Sequence, residues 1–252
     1  MLTRSIILAL IVTAIAAGCE SEGLSDSGQT GQGGSMSRFA INGPHLYVAT
    51  NSTIQVFDIG ANNFQKLGQV TVGFGLETIF ARGQYLYLGA NDAMYIYSIA
   101  NPATPEFIFR YAHIVACDPV VVQGNRAYVT LRSSMGANCN RGVNALEIID
   151  ITDPYDPTLL ANYQMVSPHG LGVYGNYLFL CEGESGLKVF DITDESDIEL
   201  LKHVTDIHAY DVIVRPGIAT VTGDDGIFQF SYPDGASVIR LLSKIDVQRQ
   251  QL

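Results

Sequence analysis

A unit of strand, glycine turn, strand, glycine-containing turn and strand recurs along this chain, and it restricts the fold more than any other feature. Its clearest copy is GVYGNYLFLCEGESGLKVFDIT, residues 172–193. A turn glycine stands four residues before an aromatic at Gly43/Tyr47, Gly83/Tyr87, Gly124/Tyr128 and Gly175/Phe179. Successive marker glycines are 40, 41 and 51 residues apart, and Gly217 follows 42 later with Val221 in place of the aromatic. The third strand recurs as QVFDI (55–59), YIYSI (95–99), EIIDI (147–151), KVFDI (188–192) and FQFSY (228–232). A period near ~40 residues with several short strands per unit is the signature of a β-propeller. One such unit cannot bury its apolar faces alone, and stacking units in a ring does so.

Five units of four strands fit the chain, and no helical periodicity competes with them. The expected fold is therefore an all-β propeller of five four-stranded blades over residues 36–252. The first unit begins with its own innermost strand and the last ends with its own outermost, so closure is expected blade against blade. The corners DITDPYDP (150–157), DITDESD (191–197) and SIANPATP (98–105) place short polar side chains where they bond local backbone, with Pro fixing φ. Asp58, Asp150 and Asp191 sit at the same corner of successive units, which reads as turn capping rather than metal or acid chemistry.

The N-terminus carries an address. Arg4 precedes an apolar or small run, Ser5–Ala17, too short to span a bilayer. It leads into Ala16-Ala17-Gly18-Cys19, which resembles the bacterial lipoprotein box. That resemblance implies a signal peptide over 1–18, cleavage before Cys19, and acyl chains on its thiol that hold the chain to a membrane without a spanning helix. A plain secretory signal is the other reading. Residues 19–35 then read as a flexible tether. The acids Glu20 and Glu22 resemble the surface-export signal of some lipoproteins, so the expected place is the bacterial outer membrane, facing the periplasm or the exterior. Arg4 is the single charged residue before Cys19, so the chain from Cys19 on is one unit more acidic than the whole chain's −11. This argues against nucleic acid and against a polybasic grip on lipid.

A Val/Ile-rich third strand ending in Asp-Ile, followed by a Pro-rich turn, resembles the LVIVD-repeat family of secreted and lipid-anchored bacterial proteins. The likeness covers roughly residues 36–245. It implies a propeller and an envelope address, and it brings no catalytic residue set with it.

Candidate chemistry lies outside the repeated positions. The third unit carries an insertion, RSSMGANCNRGVN (132–144), between its second and third strands. In a meander this loop shares a rim with the start of each inner strand. Cys117 and Cys139 both lie on that rim, and in an exported protein they are expected to form a disulfide, the alternatives being a bond to Cys181 or free thiols. The inner strands begin near Ser37, Glu77, Asp118, His169 and Asp211, which would ring the mouth of the axial channel. With His113, His208, Arg132, Asn138, Asn140 and Arg141 they form a candidate binding rim; plain structural lining is the competing reading. Glu77, Asp118, His169 and Asp211 are also the groups a hydrolase or lyase acting on carbohydrate would use. Asp224-Asp225-Gly226 could meet calcium but lacks EF-hand spacing, and no metal site is assigned. Phosphate loops, nucleophile elbows and zinc signatures are missing from the sequence. The expectation is a lipid-anchored, non-enzymatic module that binds or scaffolds an envelope protein or polysaccharide, with catalysis as the alternative.

Overall fold

The computed structural model describes residues 33–60, 64–112, 119–133, 143–232 and 238–247. The first blade comprises β1 (Phe39–Asn42), β2 (His45–Ala49), β3 (Thr53–Asp58) and β4 (Gln65–Thr71). The second has β5 (Leu76–Arg82), β6 (Tyr85–Ala90), β7 (Ala93–Ser98) and β8 (Glu106–Ala112). The third has β9 (Val120–Gln123), β10 (Arg126–Leu131), β11 (Ala145–Asp150) and β12 (Thr158–Gln164). The fourth has β13 (Leu171–Tyr174), β14 (Tyr177–Cys181), β15 (Leu187–Asp191) and β16 (Glu199–Val204). The fifth has β17 (Ala209–Arg215), β18 (Ile218–Gly223), β19 (Gly226–Ser231) and β20 (Arg240–Asp246). Each blade is an antiparallel meander of consecutive strands, and the five form a five-bladed β-propeller. Among the described residues no helix is long and apolar enough to cross a membrane.

The repeat positions do local and interblade work. Asp58, Asp150 and Asp191 accept the backbone N–H two residues on, at 2.7, 2.8 and 2.8 Å, so the recurrent Asp caps its own corner. Every blade carries a register shift at one place between its third and fourth strands, for example Val56/Phe57 and Val189/Phe190. Such a bulge increases local twist, which bends the outer strand around its neighbour. The amides of Asn42 and Gln123 donate to Gly83 O and Gly175 O, the turns of the next blades, at 2.8 and 2.7 Å.

Each blade has a leading face toward the blade that follows it and a trailing face toward the one before. Tyr47, Tyr87, Tyr128 and Phe179 are buried on leading faces, each in the cluster that its blade shares with the next. Four such clusters fill the joints from the first blade to the fifth. Among the described residues none fills the joint between the fifth blade and the first. The side chains there are half-buried or exposed, and β20 is exposed along its whole length. As expected, every blade is built of its own four strands and none is borrowed from the far terminus.

The fifth blade departs from the other four. The N–H of Tyr232 donates to Gly217 O, as that of Ile192 donates to Asn176 O and that of Ile151 to Asn125 O. Gly217 is therefore the second residue of its turn, and Pro216 corresponds to the marker glycines. The residue in the aromatic's place is Thr220, not Val221, which lies buried against the fourth blade. Gln229, paired with Thr220, replaces the buried Val56, Ile96, Ile148 and Val189 of the other blades. The leading face thus sets Thr220, Thr222 and Gln229 among Ile213, Ile218, Ile227 and Ile245, without the large buried aromatic of the other blades.

Candidate functional site

The mouth on the rim of the insertion is crossed by the segment Gly33–Ser37. Ser35 is only 2% exposed. Its hydroxyl donates to Asp211 Oδ1 at 3.1 Å and accepts the N–H of Leu171, in β13, at 2.7 Å. On the other side, Ser37 O accepts the N–H of Ile79, in β5, at 3.0 Å. The segment is a strap that joins the fourth and fifth blades to the second. It approaches closely because it is small: a Cβ on Gly34 would lie 2.0 Å from Asp211 Oδ2, and one on Gly170 would lie 2.2 Å from Oδ1. Ser35, read from sequence as the last tether residue, is part of the propeller's interior.

Asp211 is accordingly enclosed. Burial pushes its carboxyl above the usual range, while N–H donation from Val212, the Ser35 hydroxyl, and the N–H groups of Met36 and Ser35 pull the other way. Glu77 is half-buried. Burial raises its carboxyl too, opposed by the positive fields of Arg132 and Arg38. Asn91, with its amide turned to suit its neighbours, donates to Glu77 Oε1 at 2.9 Å and to Gly75 O at 3.2 Å.

His169 lies across the mouth. Its Nδ1 is 2.7 Å from Ser167 O, so Nδ1 carries the proton. Its ring leans on Tyr210 at 5.1 Å between centroids, and Gly183 leaves room for it. Burial lowers its pKa, reinforced by Arg132 and opposed by the Ser167 bond and Glu182. The ring is thus held neutral, with Nε2 as an acceptor. Arg132, at the first residue of the insertion, acts electrostatically on both Glu77 and His169.

The base of the insertion is clamped by residues that the sequence reading passed over. Asn144 Oδ1 accepts the N–H of Ser133 at 2.8 Å, and its Nδ2 donates to Val166 O at 2.6 Å. The N–H of Val166 donates to Glu182 Oε1 at 2.9 Å. Glu182 is fully buried, with Lys188 Nζ 2.6 Å from Oε2. The contact is an ion pair whose angles fall short of hydrogen-bond geometry. This chain ties the insertion to the fourth blade.

Other candidates are elsewhere. The backbone N–H of His208 donates to Asp225 Oδ2 at 3.2 Å, and its ring stands 3.8 Å from Asp224 and 3.9 Å from Asp225. It faces the turn of its own blade, where Tyr210 Oη donates to Asp224 at 2.8 Å. Among the described residues no group of three or more His, Cys, Asp or Glu could hold a metal ion. Cys181 is unpaired and fully buried, and burial pushes its thiol well up, so it is neither a disulfide partner nor a ready nucleophile. His113, Cys117, Asp118, Asn138, Cys139, Asn140, Arg141 and Cys19 lie outside the described residues, and with them the expected Cys117–Cys139 bond.

Comparison with known proteins gives the class first. Solved structures superimpose on the chain at low identity. A computationally designed protein, Ika8, matches with a TM-score of 0.60 and 15% identity, over 83% of this chain and 61% of that one. AztD from Citrobacter koseri gives 0.56 and 13%, over 79% and 58%. The periplasmic gluconolactonase PpgL of Pseudomonas aeruginosa gives 0.62 and 14%, over 81% and 68%. The chain spans about six-tenths of the length of the first two, and at these identities the likeness concerns fold alone. No curated protein matches the sequence. The family is more specific: residues 77–113, 141–165 and 169–206 match the LVIVD repeat. The chain carries LVIVD repeats, and they map onto the second blade, the outer half of the third, and the fourth. The first and fifth blades, which flank the unsealed joint, fall outside the matches.

Proposed function

We propose that this protein is a lipid-anchored propeller of the bacterial cell envelope that binds or scaffolds, without catalysis, and presents the rim of residues 132–144 to a protein or polysaccharide. The observation that carries the reading is the strap. Gly33–Ser37 packs against the starts of the inner strands of the fourth and fifth blades, and Asp211 is committed to holding it. What stays open on that rim is Arg132, the Nε2 of His169 and one half-buried carboxylate, Glu77, beside a loop clamped at its base. Such a surface suits several spaced polar contacts with a large partner. The hydrolase reading, with Glu77, Asp118, His169 and Asp211, loses one of its carboxylates to the strap. The gluconolactonase named above shares the fold only.

Pull-down from envelopes of the wild type and of a strain whose copy lacks residues 134–142 tests the rim. Loss of specific partners supports the proposal, and an unchanged set overturns it. Labelling with radioactive fatty acid tests the anchor: Cys19→Ser should take up none.

A further inference from the structure

The chain enters the propeller on the rim of the insertion. Gly33 opens the strap there, with Ser35 held at the start of β13 and Ser37 against β5. Cys19 stands fourteen residues earlier, so at most ~48 Å of chain joins a lipid on its thiol to this rim. A Gly/Ser-rich coil of that length averages about 20 Å from end to end. Turning the opposite rim to the membrane would first carry the chain down a blade, roughly 23 Å for a seven-residue strand such as β5. That descent alone uses the tether's mean span. A chain held at Cys19 thus turns its insertion rim to the bilayer.

That rim shows apolar side chains to water. Phe74, in the link from β4 to β5, is 80% exposed, the highest value for a large apolar side chain among the described residues. Val143, just before β11, and Val166, in the link from β12 to β13, are 50% and 60% exposed. The bond from Asn144 Nδ2 to Val166 O keeps Val166 at the end of the insertion. The opposite rim differs. Its Phe64 is stacked on Phe57 at 4.9 Å, and its Tyr155 stands between the exposed acids Asp153 and Asp156, which resist transfer out of water. On the insertion rim the exposed acids Glu184, Asp206 and Asp225 belong to the fourth and fifth blades and the link between them. Asp92, on the second, is paired with Arg110 at 2.6 Å. We infer, given the lipid anchor proposed above, that the first three blades rest this rim on the lipid surface, with Phe74, Val143 and Val166 seated among the headgroups. The partner of the 132–144 loop is then met at the membrane. So small a patch would not hold a free protein, but a short tether presents the lipid at about millimolar effective concentration, which populates a weak contact. A chain of net charge −11 has no basic grip to add, so the contact is apolar and suits neutral headgroups.

The chain has no Trp, so Phe74→Trp and, on the opposite rim, Tyr155→Trp each install a single fluorescent reporter at an exposed site. The full acylated chain is placed in vesicles of phosphatidylcholine brominated near the headgroup. The reporter at 74 should shift to the blue and lose about half of its emission or more, at low and high salt alike. The reporter at 155 should keep the emission it has in water. Quenching at 155 instead, at neither position, or at 74 only in low salt would overturn the inference. So would protection at 74 that appears only on adding envelope proteins or on crowding the vesicles, which assigns the patch to a protein or to a second copy. The mass of the purified chain separates these results from a failed anchor. A chain without fatty acid removes the anchor itself, whereas unquenched emission at 74 on an acylated chain removes only the seating on lipid.

Discussion

Asp211 and Ser35 are 176 positions apart and hydrogen-bonded. Ser35→Ala removes a donor to Asp211 and strands the buried N–H of Leu171, and should cost about 1–3 kcal/mol in chemical denaturation. The titration of Asp211 has a definite sign. Its carboxyl is raised in the folded chain, so the native state holds its proton more tightly than the unfolded state does. Its contribution to stability is therefore full below the ordinary carboxylate range and is lost as pH rises through the raised value. Measured from mildly acidic to neutral pH, the wild type should lose stability relative to Asp211→Asn across that window and run parallel to it above. The corner residues Asp150 and Asp191 are shifted the other way, each lowered by bonds to the Thr two residues on. That behaviour was readable from sequence because donor and acceptor are neighbours. The Asp211–Ser35 bond was not readable, since no local pattern relates positions so far apart. Cys181 gives a further residue-scale expectation: with its thiol fully buried, maleimide labelling should proceed only at the rate of unfolding.

The repeat made the elements legible, because apolar side chains on alternate faces, turn glycines and Asp corners leave local marks. The joints between elements are set by a few large side chains. Phe179 seals the joint between the fourth and fifth blades, and Phe179→Ala should cost about 3–5 kcal/mol. A shift in the unfolding midpoint by differential scanning calorimetry checks it. The bulge common to all blades has no sequence mark of its own, since it arises from the twist the outer strand needs. Likewise the insertion was visible as a break in period, while its clamp, Asn144 to Val166 to Glu182, crosses from one blade to the next. Gly217 misled for a simple reason. A Pro-Gly turn puts the positive φ at the second residue, where the other blades put it at the first, and counting from the glycine slips the register by one. In a strand that slip exchanges the two faces.

At the scale of the molecule, the strap ties the ring where, among the described residues, no apolar cluster fills the last joint. A chain begun at Met36 should show faster hydrogen exchange at Leu171 and Val212 than one begun at Gly33, with the second and third blades little changed. Equal exchange in the two would remove the strap's role. The sequence alone determined the all-β class, the five four-stranded blades, the capped corners and the rim on which the insertion stands, because each depends on side-chain period and on residues close along the chain. Only the tertiary structure decided that Ser35 ties the fourth and fifth blades while, among the described residues, no apolar cluster fills the last joint, and that Asp211 is enclosed. Those outcomes depend on which distant surfaces meet, and a periodic sequence offers every blade the same partners until packing assigns them.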